Sequence, residues 1–174
     1  LTVSPLVEAL LAGNAVILKP SEHTPLTTGL LKKVWDEATD RPELFQPVYG
    51  SGELGSAIVT SPQTDVICFT GSTVVGRKIA EACAPLFKPV ILELGGKDPM
   101  IILEDADIDR SVEAAIFGGF SNAGQTCISV ERIFAHEKIY PEIVEKLSKE
   151  IQKTSSGVGD SPIGAISVEM TMEK

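Results

Sequence analysis

The sequence contains few of the residues that build disulfide frameworks or metal sites. Its 174 residues include three cysteines and two histidines. The cysteines are scattered and odd in number, which fits a reducing compartment better than a set of disulfides. The histidines are too few and too distant from the cysteines to suggest a zinc site. We therefore expect a cytoplasmic protein without a metal site.

Positive charge and long apolar runs are also scarce. Lys and Arg number 15 against 24 Asp and Glu, for a net charge of −9. This balance offers no basic patch to phosphates, so we expect no nucleic-acid partner. No apolar run approaches the roughly 18–20 residues that span a bilayer, and no signal peptide is visible. With 43% hydrophobic and 22% charged residues, the chain is typical of a globular protein with no membrane partner.

The sequence does have a regular alternation of short apolar runs and helical patterns. The apolar runs predict buried strands, and the stretches between them carry apolar residues at helical spacing. The predicted strands are 15–19, 45–49, 65–70, 89–94, 100–103 and 130–135, and the predicted helices are 5–11, 25–39, a short one through 58, 72–87, 107–122 and 140–153. This order predicts an α/β fold with a doubly wound, Rossmann-like parallel sheet.

Gly95-Gly96 interrupts this alternation and predicts a boundary between two domains, 1–94 and 95–174. The first predicted helix is already complete near the start of the chain, and the last residues end in the middle of a pattern. We therefore expect the chain to be a piece of a longer protein.

Two glycine loops follow predicted strands and are candidates for phosphate binding. Gly50–Gly55 matches G-x-G-x-x-G, but it lacks the acidic residue that a dinucleotide site expects about 20 positions later. The loop Phe69–Gly76 opens a long helix, where free N–H groups and the Ser72 and Thr73 hydroxyls could hold a phosphate. For Gly50–Gly55, a tight turn is an equally good interpretation. For Phe69–Gly76, a helix cap at Ser72 is equally good.

Lys19 and Glu22 follow the first predicted strand, at the edge where open α/β sheets bind ligands. They could hydrogen-bond the two hydroxyls of a ribose, and Glu22 would repel a 2′-phosphate. The alternative is a solvated surface pair.

Glu93 interrupts an apolar run, Val-Ile-Leu-Glu-Leu. We expect it to be buried, and burying an unpaired carboxylate is costly. A desolvated carboxylate takes up a proton readily, which suits a general base. The alternative is a structural carboxylate paired with Lys97 or Arg77.

Cys127 lies on a predicted connection between a helix and a strand. A thiol at such a place can be accessible, and nearby backbone N–H groups could hold an oxyanion. By contrast, Cys68 lies in a predicted strand and Cys83 on a predicted helix, and we expect both to fill the core. A lone loop cysteine is more often inert than catalytic.

Four segments occur in this order along the chain: Ala-Gly-Asn-Ala-Val-Ile-Leu-Lys-Pro-Ser-Glu (12–22), Phe-Thr-Gly-Ser-Thr-Val-Val-Gly (69–76), Leu-Glu-Leu-Gly-Gly-Lys-Asp-Pro (92–99) and Asn-Ala-Gly-Gln-Thr-Cys (122–127). Together they closely resemble the aldehyde dehydrogenase superfamily. The resemblance covers essentially the whole chain. It implies that a small aldehyde is oxidised to a carboxylic acid through a cysteine thiohemiacetal and thioester. NAD would accept the hydride, with NADP as the alternative cofactor. It also implies that residues 1–94 belong to the coenzyme-binding domain and 95–174 to the catalytic domain.

The resemblance also implies residue roles. Cys127 would be the nucleophile and Glu93 the base that activates water, while Ser72 would contact the pyrophosphate and Gly52 would let the chain pass close to the cofactor. Lys19 and Glu22 would hold the adenosine ribose, and Glu22 favours NAD. The full set of implied cofactor contacts is Lys19, Pro20, Ser21, Glu22, Gly52, Phe69, Thr70, Gly71, Ser72, Leu94 and Gly95.

Some features of that family are not in this sequence. The Asn that shares the oxyanion hole, the Glu that grips the nicotinamide ribose and the oligomerisation strands would all lie outside residues 1–174. We therefore expect the isolated chain to be inactive and the full-length protein to be a homodimer or homotetramer. Two alternatives remain: a CoA-acylating enzyme, against which Glu93 argues, and a catalytically silent NAD-binding fragment.

Overall fold

Six helices and six strands alternate along the part of the chain that the computed structural model describes, namely residues 2–155, 157, 163 and 164. The helices are α1 (Val3–Leu11), α2 (Pro25–Ala38), α3 (Gly52–Thr60), α4 (Thr73–Cys83), α5 (Ile108–Phe120) and α6 (Tyr140–Gln152). The strands are β1 (Val16–Leu18), β2 (Phe45–Pro47), β3 (Ile67–Thr70), β4 (Val90–Glu93), β5 (Asp98–Ile102) and β6 (Val130–Ala135).

The described strands pair in sequence order, and every pair is parallel. β1 pairs with β2, β3 with β4, and β5 with β6, and each pair is joined by a helix, as parallel pairing requires. The parallel α/β class predicted from the sequence is confirmed. Because paired strands run in the same direction, the loops that follow both strands of a pair lie at one edge.

The chain divides into two compact units, Leu1–Leu94 and Gly95–Lys174. The division falls at the glycine pair that interrupts the sequence pattern. The coenzyme-binding role of the first unit and the catalytic role of the second stay predictions. The second unit is described up to residue 155, and most of its residues after that lie outside the described part of the chain.

Each unit has its own buried cluster. In the first unit Val59, Ile67 and Cys83 join α3, β3 and α4. In the second unit the cluster links β5, α5 and α6 through Ile102, Val112, Ile139 and Ile143. These clusters pack one face of β3–β4 and one face of β5–β6 against helices, which fixes the strand edges that carry the candidate site.

The helix predicted at 72–87 is shorter in the structure. α4 ends at Cys83 and continues as a 3-10 turn, Ala84–Leu86. Pro85 explains the difference, because it has no N–H to donate to the preceding turn. Phe87 then takes a left-handed conformation, φ 53°, and the chain turns into β4.

Among the described residues, no helix combines the length and apolar character that crossing a membrane would need.

Candidate functional site

The edge of the β1–β2 pair brings Lys19 and the first glycine loop together. The Lys19 ammonium donates to the carbonyl oxygens of Pro20 (2.9 Å) and Gly50 (3.0 Å), although these two carbonyls are far apart in sequence. Its alkyl chain lies against Gly55, where an added Cβ would be 3.5 Å from Lys19 Cε. Lys19 therefore fixes the Gly50–Gly55 loop beside the end of β1.

Glu22 completes this group of polar side chains. Its carboxylate lies 3.4 Å from the Lys19 ammonium and is half exposed. A hydrogen bond from its own backbone N–H, followed by the positive charge of Lys19, lowers the pKa of Glu22. The carboxylate is thus ionised at neutral pH and available as a hydrogen-bond acceptor.

The segment Gly50–Gly55 forms the turn before α3 and the first residues of that helix. The same residues could therefore both make a turn and contact a ligand. Ser51 caps α3 by accepting a hydrogen bond from the backbone N–H of Glu53 at 3.3 Å. Around Gly52, an added Cβ would meet nothing within 4 Å. Gly52 therefore borders open space next to the Lys19 group, which fits a residue that a ligand passes closely.

The edge of the β3–β4 pair holds the second glycine loop and Glu93. Thr70 and Glu93 are partners in register, and the Gly71 N–H donates to the Glu93 carbonyl at 3.0 Å. Ser72 caps α4, because its hydroxyl accepts a hydrogen bond from the Val75 N–H at 3.3 Å. The cap interpretation of Ser72 is confirmed, while phosphate binding at the same helix start stays a prediction.

Two glycines of the second loop lie close to neighbouring side chains. A Cβ at Gly71 would lie 2.5 Å from the Phe69 ring, and one at Gly76 would lie 2.5 Å from a Leu94 methyl. Phe69 belongs to β3 and Leu94 directly follows β4. The loop is therefore held tightly against the ends of β3 and β4.

The expected burial of Glu93 is wrong for this chain. Glu93 is exposed at the end of β4, because alternate residues of a strand point to opposite faces. Val90 and Leu92 lie on the partly covered face, whereas Ile91 and Glu93 lie on the open face. Of its two suggested structural partners, Lys97 pairs with Glu131 instead.

Cys127 follows a run of three left-handed residues. After α5 ends, Asn122 (φ 53°), Ala123 (φ 58°) and Gly124 (φ 73°) reverse the chain. The Asn122 and Gln125 side chains each donate to the other's backbone carbonyl, at 3.0 and 3.2 Å. The loop then delivers Cys127 with its side chain exposed, as predicted.

Ser129 is a residue of this loop that the sequence did not single out. It is 4% exposed, and its hydroxyl donates to the Gly118 carbonyl at 3.0 Å, at the end of α5. A Cβ on Gly124 would lie 3.2 Å from the Gly119 carbonyl, so the loop packs tightly on this helix end. Asn-x-Gly does predict left-handed backbone, but no pattern marks Ser129 as buried.

The other two thiols differ from each other. Cys83 is 1% exposed and fills the core of the first unit, as predicted. The same prediction for Cys68 is wrong, because Cys68 is exposed on the open face of β3. Partial burial, and then the negative charges of Glu93 and Glu8, raise the pKa of the Cys68 thiol.

Within the described residues, no group of three or more His, Cys, Asp and Glu side chains could hold a metal ion. The polar groups instead lie at strand edges and at the starts of α3 and α4, where backbone N–H groups favour an anionic organic ligand.

Comparison with known proteins agrees with this geometry. The model of the aldehyde dehydrogenase family matches residues 1–174. The mitochondrial aldehyde dehydrogenase 2 of Saccharomyces cerevisiae is 46% identical over 151 residues, which are 86% of this chain and 30% of that protein. The chain thus spans about a third of the length of the curated relatives it matches.

Solved structures give the same result. The NAD+ complex of aldehyde dehydrogenase from Bacillus cereus superposes with a TM-score of 0.93 at 37% identity, covering 97% of this chain and 35% of that one. An NADP-dependent enzyme of E. coli superposes with a TM-score of 0.82 at 39% identity, covering 86% of this chain and 31% of that one.

Proposed function

This chain belongs to the aldehyde dehydrogenase family, and we propose that the full-length protein containing it oxidises a small aldehyde to the carboxylic acid with NAD(P)+. The Cys127 loop is the observation that carries the proposal. A thiol on a left-handed turn is exposed there, and the turn is tied to the end of α5 by Ser129. Backbone conformations of this kind are concentrated at active sites.

The residues at the two strand edges fit a dinucleotide. Lys19 and Glu22 offer a donor and an ionised acceptor 3.4 Å apart, which suits the adjacent hydroxyls of a ribose. The start of α4, with Ser72, offers backbone N–H groups to a pyrophosphate. Pro20, Ser21, Gly52, Phe69, Thr70, Gly71, Leu94 and Gly95 complete the proposed lining.

NAD is the cofactor that Glu22 favours. Its carboxylate is ionised and exposed, so it would repel the 2′-phosphate of NADP. Lys19 has the opposite charge, but its ammonium already donates to two carbonyls. One superposed relative is an NAD+ complex and another is NADP-dependent, so the proposal of NAD rests on Glu22.

In the proposed reaction, Cys127 attacks the aldehyde carbon as a thiolate and forms a thiohemiacetal. Its backbone N–H would stabilise the oxyanion. When bound, NAD(P)+ supplies the hydride acceptor. Cys127 then carries the acyl group as a thioester, and Glu93 takes a proton from the water that attacks it. The carbon–sulfur bond breaks, the acid leaves, and the Cys127 thiolate is regenerated.

A CoA-acylating enzyme is the second candidate within this family. It would pass the acyl group from Cys127 to the thiol of CoA rather than to water. A carboxylate at position 93 favours hydrolysis, because a water molecule needs a base to become a nucleophile. A silent NAD-binding protein, the third candidate, would have no use for an exposed thiol on a constrained loop.

The decisive experiment follows turnover and product together. We expect the full-length protein with Cys127→Ala to lose at least about 10³-fold in kcat, because no other group forms the thioester. Cys83→Ala should leave kcat within about threefold, since Cys83 only fills the core.

Product identity separates the candidates. Acid formed without CoA supports hydrolysis, acyl-CoA supports the second candidate, and no turnover of aldehyde with either cofactor supports the third. Full turnover by the Cys127→Ala variant would contradict the assigned nucleophile.

The compartment and the assembly are also part of the proposal. Three unpaired cysteines support a reducing, cytoplasmic location, although the yeast relative is mitochondrial by name. We further propose a homodimer or homotetramer for the full-length protein.

A further inference from the structure

The start of β6 contains an irregularity close to Cys127. The register with β5 passes from Asp98↔Val130 to Pro99↔Arg132, so Glu131 is an extra residue with no partner. Such a bulge breaks the alternation of side chains along a strand. As a result, the neighbours Glu131 and Arg132 are both exposed, whereas regular strand geometry would separate them onto opposite faces.

Glu131 and Arg132 both bind Lys97, the residue that precedes β5. The Glu131 carboxylate forms an ion pair with the Lys97 ammonium. The Arg132 guanidinium donates to the Lys97 carbonyl at 2.5 Å and lies 5.9 Å from the centre of the Phe134 ring. The side chain and the main chain of Lys97 are thus held at once.

The residue before Lys97 lies against the Cys127 loop. A Cβ added to Gly96 would overlap the Asp98 carboxylate and lie 3.1 Å from the carbonyl oxygen of Cys127. A side chain at position 96 would require both neighbours to shift. The main chain at Gly96 therefore lies close to the Cys127 carbonyl, and Lys97 is the next residue along the chain.

We propose that Glu131 and Arg132 are positioning residues, which hold the Gly96–Lys97 main chain against Cys127 and so fix the thiol for acyl transfer. We call these two residues with Lys97 the clamp. The inference rests on the proposed function of Cys127, because a positioned thiol matters only if that thiol reacts. It adds two residues that touch neither substrate nor cofactor.

Stability alone does not explain the clamp. Lys97, Glu131 and Arg132 are exposed, and exposed ion pairs contribute little to folding because water and salt screen them. The three groups converge at the point where the main chain touches Cys127, so their effect is local. Variants of the clamp should therefore fold.

The first test uses the 174-residue chain and amide hydrogen exchange. We expect Arg132→Met to raise the exchange rate of residues 125–129 by at least about fivefold, with no change in α6, since local opening depends on local contacts. Glu131→Lys should have the same effect, because it places two ammonium groups together.

The charge-swapped pair Lys97→Glu with Glu131→Lys should restore the slow exchange. Glu104→Gln is the matched control, since it removes another exposed ion pair of the same unit, Lys138–Glu104. It should leave residues 125–129 unchanged.

Unchanged exchange in Arg132→Met, or a charge swap that fails to restore it, would overturn the clamp. If Arg132→Met does not fold, Glu131→Lys and the charge swap decide by themselves.

The second test uses turnover of the full-length protein. Arg132→Met should lower kcat at least about tenfold while leaving KM for NAD(P)+ within about twofold, as expected when a reacting group is misplaced. Arg132→Lys should be intermediate, because it keeps a donor but loses the planar contact with Phe134. A rise in KM with unchanged kcat would contradict positioning.

The two proposals fail separately. If Cys127→Ala retains turnover, the proposed function is wrong, while the exchange experiment still shows whether the clamp holds the loop. If Cys127→Ala is inactive but Arg132→Met has normal kcat and exchange, the function stands and the clamp is wrong.

Discussion

At the residue scale, the two carboxylates near Cys68 act in the direction that raises the pKa of its thiol. Partial burial first, then Glu93 and Glu8, keep the Cys68 thiol protonated to higher pH. We expect Glu93→Gln to lower the pKa of Cys68 and so raise its alkylation rate at pH 8 by about twofold. Rates measured against pH by peptide mapping test this.

Two controls make the Cys68 experiment specific. Glu81→Gln removes an exposed carboxylate from α4 and should leave the Cys68 rate unchanged. High salt should reduce the effect of Glu93→Gln, because it screens charges separated by water. An effect that is the same for both variants would show that the charge of Glu93 is not responsible.

The roles of single residues were only partly predictable from the sequence. Cys127 was correctly expected to be exposed, because it lies on a connection. Glu93 and Cys68 were expected to be buried, because most residues in the sequences of their strands are apolar. Which face of a two-stranded sheet is covered depends on helices packed from elsewhere, and the strand sequence does not contain that information.

At the scale of elements, the left-handed run before Cys127 is under strain at Ala123 (φ 58°). Ala123→Gly should raise the free energy of unfolding by up to about 1 kcal/mol, because glycine takes positive φ without steric cost. The same change at the exposed helix residue Ala114 should lower it by about 1 kcal/mol.

Urea unfolding measures whether the free energy of unfolding changes in opposite directions in the two variants. Both variants make the same chemical change within the second unit, so any common effect on the unfolded state cancels. Equal destabilisation by both would show that Ala123 is not strained.

We expect the stability of α3 to depend on the side chain of Lys88. The Lys88 ammonium donates to the Val59 carbonyl and the Thr64 hydroxyl, both at 2.8 Å, and to the Ser61 carbonyl. The two carbonyls lie at the end of α3, where helix carbonyls lack intrahelical partners, and Thr64 lies in the loop that follows. Lys88→Met should therefore destabilise the first unit by about 1–3 kcal/mol.

Hydrogen exchange in residues 52–60 measures the effect of Lys88→Met directly. Lys78, which is exposed on α4, provides the control variant Lys78→Met, for which we expect no change. Slow exchange retained in Lys88→Met would mean that water replaces the ammonium without loss.

The elements themselves were well predicted, because strand and helix periods differ and each is short-range. Differences occur at ends and irregularities. Pro85 ended α4 early. The bulge at Glu131 was not predicted, since two charged neighbours are also typical of a loop. Register depends on the partner strand, and a single strand cannot reveal it.

At the scale of the whole chain, many large apolar side chains are exposed. These include Ile91 on β4, Ile101 on β5 and Phe134 on β6, with Val66 just before β3 and Leu103 just after β5. Parallel sheets are normally covered on both faces, and every described strand has a single neighbour. We expect the isolated chain to self-associate as its concentration rises, because open apolar faces and strand edges attract each other.

Light scattering with size-exclusion chromatography over a range of concentrations tests self-association. Ile101→Lys should lower the mass observed at a given concentration, while Gln152→Lys adds the same charge at an exposed helix end and should change it little. A monomer at every concentration would show that the open faces are not adhesive.

The local pairing of strands has a consequence for synthesis on the ribosome. The described strands pair in twos with a neighbour along the chain, so Val16 pairs with Phe45 and Ile67 pairs with Val90. Contacts between residues near in sequence form early and quickly. The first strand–helix–strand unit, β1–α2–β2, can therefore close soon after it leaves the exit tunnel, before the segment that carries Cys127 has been translated.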